Sequence, residues 1–96
     1  MKGTVIEVEV ESRQDFVSAL AGKPHIILLD NMSPAEVKAC VEIRRKMKAK
    51  TLLEVSGGIT LDTVEAYAAT GADMISVGSL TASVDSIDMS LELMLP

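Results

Sequence analysis

The sequence predicts an α/β protein built from four parallel βα units. Three observations carry this. Apolar runs short enough for strands recur along the chain, each followed by a stretch with helical spacing. Three of the helical stretches open on recognisable cap residues. The strand ends recur every ~20–25 residues, as they do in βαβ units. A parallel sheet with covering helices is the natural solution, with right-handed crossovers.

Residues 4–12, "TVIEVEVES", place Val5, Ile6, Val8 and Val10 among Glu7, Glu9 and Glu11. Period two means strand. Ser12 is positioned to cap a helix over residues 13–22, with Phe16, Val17, Leu20 and Ala21 at helical spacing and Gly22 as its stop. "HIILLD", 25–30, is a continuous apolar run of the kind buried on both faces in parallel sheets. Ser33, Pro34 and Glu36 then supply a cap serine, a proline at the first helical position and a glutamate three after the cap. Val37, Cys40, Val41 and Met47 form that helix's apolar stripe. "TLLEVSGG" is the third strand, Thr60 the expected cap of a third helix ended by Gly71, and "DMISVGS", 73–79, the fourth strand. In the tail, Val84, Ile87, Leu91 and Met94 are spaced for a helix, or for a helix and a short strand.

Four units fall short of a closed eight-unit barrel of about 250 residues. They would form an open sheet or half a barrel with raw edges, and such edges invite pairing with another chain. Self-association, or an ordered partner along the edges, is therefore expected.

Composition narrows the function classes. The 96 residues suit one domain, 48% are apolar, and the formal net charge is −5. That charge argues against nucleic acid, which calls for a basic patch, and against anionic lipid. The basic run "RRKMKAK", 44–50, falls at an expected helix C-terminus, where cations complement the dipole. Cys40, the single cysteine, matches no metal-ligand spacing and reads as a buried thiol. No stretch approaches the ~20 apolar residues of a membrane span, and no signal peptide opens the chain; a cytoplasmic location is the expectation.

In parallel α/β structures ligands bind beyond the C-terminal strand ends. Those ends carry Glu9 and Glu11, Asp30 and Asn31, Ser56-Gly57-Gly58, and Gly78-Ser79. Carboxylates would suit hydroxyls or a divalent cation. Glycine loops without Cβ let backbone N–H groups approach a phosphate, and a helix starting near Thr60 would add its N-terminal dipole. The glycines equally permit a plain strand-to-helix turn, and the alternation of Glu7, Glu9 and Glu11 by itself favours a solvent face. Asp30 is not needed for capping, because Ser33 does that. Glu54, inside an apolar strand, would need a partner, and no nearby cation supplies one. His25, at the opposite strand end, reads as structural.

"IEVEVES", "ILLDNMSPAEV", "LEVSGGIT" and "ISVGSLTASVDSIDMSLEL", in this order and spacing, resemble the C-terminal part of quinolinate phosphoribosyltransferase over essentially the whole chain from Val5. The resemblance implies the second half of an incomplete TIM-like α/β barrel spanning residues 1–96, and dimers or larger assemblies. It implies an NAD-biosynthetic reaction that converts quinolinate and phosphoribosyl pyrophosphate to nicotinate mononucleotide, pyrophosphate and carbon dioxide, with Mg2+. By that resemblance Glu9 and Asp30 are catalytic and face the ribose and its metal–pyrophosphate surroundings, so both are also candidate contacts to a substrate-held Mg2+. Ser56, Gly57, Gly58 and Gly78 hold the 5′-phosphate, and Glu7, Glu54 and Ser79 are supporting positions. Many members have histidine where this chain has Ala82. The arginines, histidine and lysine with which the family grips quinolinate belong to earlier segments, and Arg13 is the one arginine near a strand end here. The chain is thus expected to bind a phosphosugar and to lack turnover alone. The alternatives are a phosphosugar-binding module without chemistry and a purely structural, self-associating half-barrel.

Overall fold

The computed structural model describes residues 4–78 and 80–86. The described elements follow in the order β1 (Glu7–Val10), α1 (Arg13–Ala21), β2 (Ile26–Asp30), α2 (Pro34–Lys46), β3 (Leu52–Ser56), α3 (Val64–Ala68), β4 (Met74–Val77) and β5 (Leu80–Ser83), with a 3-10 turn at Val84–Ser86. They form one five-stranded sheet in the order β1-β2-β3-β4-β5. Each of β2, β3 and β4 runs parallel to its predecessor, as the βα periodicity predicts.

The sheet departs from four purely parallel units at its end. β5 runs antiparallel to β4, with Val77 opposite Leu80. Gly78, directly after β4, sits at φ 61°. Two-residue hairpins need positive φ in the link, so the glycine turns the chain back instead of leading into another crossover. Ser79 and the tail from Ile87 to Pro96 lie outside the described residues.

The caps of the first two helices are those the sequence predicts. The Asp15 amide donates to Ser12 Oγ at 3.1 Å. Ser33 and Glu36 exchange bonds at 2.9 and 3.2 Å, a complete capping box with proline in the first turn. Gly22 does follow α1, but in right-handed conformation at φ −81°. The left-handed residue is Lys23, at φ 56°, and Lys48 plays the same part after α2 at φ 55°. α3 begins later than predicted. Thr60 donates its amide to Thr63 Oγ1 at 3.0 Å and accepts from the Val64 amide at 2.8 Å, so a turn over 60–63 precedes a helix of five residues.

Helices cover one face of the sheet. Val10, Leu29, Val55 and Ile75 stand in one cross-strand row and are buried with Ile27, Leu53, Phe16, Leu20, Val37, Cys40 and Val64. Val17 and Met47, expected on apolar stripes, are exposed instead; Met47 is the C-cap residue, past the last helical turn of α2. The opposite face is open. It carries Glu7, Glu9, Ile26, Leu28, Asp30, Leu52, Glu54, Ser56, Met74 and Ser76, none of them buried. The apolar run of β2 is therefore buried on one face only, with Ile26 and Leu28 half-buried on the other.

Arg44 fixes the C-terminus of α2 to the start of β4. It pairs with Asp73 and donates to the Thr51 carbonyl at 3.1 Å. Asp73 in turn accepts from the Leu53 amide at 2.8 Å. This part of the basic run is structural, as its position at a helix end predicts.

Candidate functional site

At the C-terminal strand ends, the loops after β2 and β3 are joined. Asp30 is in register with Ser56, and Ser56 Oγ donates to Asp30 Oδ1 at 3.3 Å. The Asn31 amide donates to the Ser56 carbonyl at 3.1 Å. Asn31 itself is left-handed, at φ 56°. Gly57, at φ 91°, presses so close that a Cβ there would lie 2.6 Å from Asn31 Oδ1, 2.7 Å from Asp30 Oδ1 and 2.8 Å from Asn31 N. No other residue type fits. Gly58 and Gly78 also have positive φ, but a Cβ on either would meet nothing within 4 Å. Their backbone faces open space.

The phosphate reading thus rests on the glycine backbone alone. The helix dipole offered for it does not apply, because α3 starts at Val64, six residues after Gly58, and is one turn and a half long. Ile59, which is buried, pins the loop between them.

The carboxylates divide by level. Glu9 is exposed on the open face beside Leu28, and Asp30 lies two residues further along that neighbouring strand, on the same face. Glu7 is level with Ile26 and, through it, with Leu52 at the N-terminal end of the sheet, away from the glycine loops. Half-buried Glu54 has a partner, and it is a hydroxyl: Ser76 Oγ donates to Glu54 Oε2 at 2.9 Å. Ser76 and Thr81 hydroxyls are 2.8 Å apart. These two residues are absent from the sequence reading. The signal for them was the period of two, which puts Ser76 on the face of Glu54 and Met74 once the register is known. Ala82 pairs with Ile75, so it stands on the helix-covered side.

Other residues fall elsewhere. The Ile6 amide donates to His25 Nδ1 at 2.9 Å, a structural bond at the N-terminal end. A hollow of about 980 Å³ at that end is lined by Lys23, Pro24, His25, Lys50, Thr51 and others, with neither a carboxylate nor a glycine among them. Arg13 opens α1 and faces Ala35, Glu36 and Ala39 of α2, outside the sheet's open face. Cys40 is wholly buried, and burial pushes its thiol up to about 11; such a thiol is inert. Among the described residues no three His, Cys, Asp or Glu side chains converge as a metal cage, and no helix is long and apolar enough to cross a membrane.

A family profile described as quinolinate phosphoribosyl transferase, C-terminal domain, matches residues 1–92. The chain belongs to this family. A probable nicotinate-nucleotide pyrophosphorylase (carboxylating) of Methanothermobacter thermautotrophicus is 46% identical over 90 residues, which cover 92% of this chain and 32% of that protein. The human nicotinate-nucleotide pyrophosphorylase (carboxylating) is 35% identical over 88 residues, covering 92% of this chain and 30% of the relative. In three dimensions, the nicotinate-nucleotide pyrophosphorylase of Francisella tularensis aligns with a TM-score of 0.71 at 38% identity, over 84% of this chain and 29% of that one. The chain thus spans about a third of the length of the curated relatives it matches.

Proposed function

We propose that this chain is the phosphoribosyl-binding portion of a quinolinate phosphoribosyltransferase. Its residues 1–96 would form one domain, the C-terminal half of an incomplete α/β barrel whose open sheet face is the barrel interior. The observation that carries the reading is the joined pair of loops, where Asp30, Asn31, Ser56 and Gly57 interlock beneath the open backbone of Gly58. A 5′-phosphate sits against the amides of Gly57, Gly58 and Gly78, with Ser56 beside them. The ribose then lies over Glu9 and Asp30. In the whole enzyme, quinolinate and phosphoribosyl pyrophosphate give nicotinate mononucleotide, pyrophosphate and carbon dioxide. Positive charge develops on the ribose as the C1–pyrophosphate bond breaks, and fixed carboxylates nearby stabilise it.

The donor set fits Mg2+ only in the form that cation commonly takes in phosphate chemistry, bound by one or two carboxylates and completed by substrate phosphates and water. Asp30 and Glu9 are the residues that would hold it. When bound, the ion neutralises charge on the pyrophosphate.

The chain alone is inactive in this reading, because none of the described residues over its open face is a cation that could grip a dicarboxylate. The β1 edge and the open face pair with the remaining barrel strands or with another copy, in the cytoplasm. Titration of isotope-labelled chain with ribose 5-phosphate tests the binding half. Amide shifts at Gly57, Gly58 and Gly78 are expected, and their absence at millimolar ligand would overturn it. Nicotinate mononucleotide formed by this chain alone would overturn the claim of inactivity.

A further inference from the structure

The register places four polar side chains at one level across four strands. Asp30 of β2 pairs with Ser56 of β3. The β3–β4 ladder aligns Glu54 with Met74 and Val55 with Ile75, so the next step brings Ser76 level with Ser56. Ser76 pairs with Thr81 of β5. Glu54 sits one layer lower and reaches diagonally up to this row.

The hydrogens in the row have a fixed direction. Ser76 has one hydroxyl hydrogen, and it goes to Glu54 Oε2. In the contact between Ser76 and Thr81, Thr81 must therefore be the donor. The run is Thr81 to Ser76 to Glu54, three strands tied in sequence and ending on a carboxylate. At the other end of the row, Ser56 donates to Asp30. Both hydroxyl chains thus terminate on acidic oxygens at the open face. A carboxylate has about four acceptor sites, so each keeps capacity after taking one hydroxyl. The row lies just below the loops that carry Gly57, Gly58 and Gly78. Acceptors held at this depth under a phosphate cradle suit the hydroxyls of a phosphorylated sugar.

We propose that Glu54 is a further sugar-binding residue, accepting from a hydroxyl of the phosphosugar, and that Ser76 and Thr81 are positioning residues that hold its carboxylate. The inference rests on the phosphoribosyl reading above and adds a contact to it. Ser76 and Thr81 act through Glu54 and do not touch the phosphate.

The test compares two probes, inorganic phosphate and ribose 5-phosphate, by the amide shifts of Gly58 and Gly78. In the unaltered chain ribose 5-phosphate should bind more tightly than phosphate. Glu54→Gln and Ser76→Ala should each weaken ribose 5-phosphate by about tenfold, the usual effect of losing a hydrogen bond to a charged group, and leave phosphate unchanged. Ser76→Thr, which keeps the hydroxyl, should restore the preference; a merely structural role for Ser76 would move both probes together. If both probes bind and their ratio is the same in Glu54→Gln as in the unaltered chain, this inference is wrong and the phosphate site stands. If neither probe binds the unaltered chain, the phosphoribosyl reading fails, and this contact with it.

Discussion

A methyl group at Gly57 has nowhere to go. Its Cβ would lie 2.8 Å from the Asn31 backbone nitrogen, as well as 2.6 and 2.7 Å from two side-chain oxygens. The oxygens can rotate away, but the nitrogen cannot, because it is committed to the Ser56 carbonyl. Two costs follow for Gly57→Ala. A left-handed alanine costs about 1–2 kcal/mol. Opening the joint between the two loops adds about 1–3 kcal/mol, the range for overpacking a filled space. The control is Gly58→Ala, where φ is 69° and the Cβ would meet nothing within 4 Å, so only the backbone cost of about 1–2 kcal/mol remains. Both changes stiffen the unfolded chain alike, and that contribution cancels between them. Gly57→Ala should therefore be the less stable by about 2 kcal/mol. For a domain of this size that is a gap of about 8–16 °C in Tm. Thermal unfolding followed by far-ultraviolet circular dichroism measures it, at one fixed protein concentration because self-association would shift both values. Equal melting points would refute the packing argument and, with it, the idea that Gly57 is fixed by Asp30 and Asn31.

Two further perturbations probe the frame that holds the site. Arg44→Met keeps the aliphatic stem and removes the pair with Asp73, whose side chain is only 33% exposed; a loss of about 1–3 kcal/mol in urea unfolding is expected, and the double variant with Asp73→Asn should lose less than the sum of the singles. Glu36 has a pKa below its ordinary 4.5, chiefly through the bond it accepts from the Ser33 amide. A depressed carboxyl gives stability that is present above the ordinary value and is lost as pH falls through the folded value. The gap in stability between the unaltered chain and Glu36→Gln should thus be constant near neutrality and shrink below pH 4.5; a gap that does not change with pH would show that the capping-box charge contributes nothing.

Much of the frame is legible in the sequence because it is set by local chemistry. Ser12, Ser33, Pro34 and Glu36 cap the helices they appear to cap, and the buried members of the strands follow a period of two. What escapes is set by pairing. The turn back between Val77 and Leu80 has a short sequence signal, but the preceding units argue for another crossover, and only the β4–β5 pairing decides. The start of α3 escapes because Thr63 competes with Thr60 for the turn, and both are good capping types. The half-exposed β2 escapes because a continuous apolar run cannot say how many faces are covered. At the candidate site, Asp30, Ser56 and Gly57 are legible as strand-end residues, and the structure joins them. Glu7 has the same residue type and alternation as Glu9 but stands level with Ile26, further from the glycine loops, which only the register reveals. Ser76 and Thr81 are ordinary strand residues until the sheet order sets them beside Glu54.

The order β1-β2-β3-β4-β5 is also the order of the chain. Each described strand after β1 pairs with the one made just before it, and the helix that joins each parallel pair lands on the face they share. A polypeptide emerging from the ribosome meets each partner already in place and need never wait for a distant segment. The buried core grows by one layer per unit from its N-terminal end, while the open face plays no part in that growth. Synthesis and folding can run in the same direction, and the face on which we place the phosphosugar is left free of any task in folding.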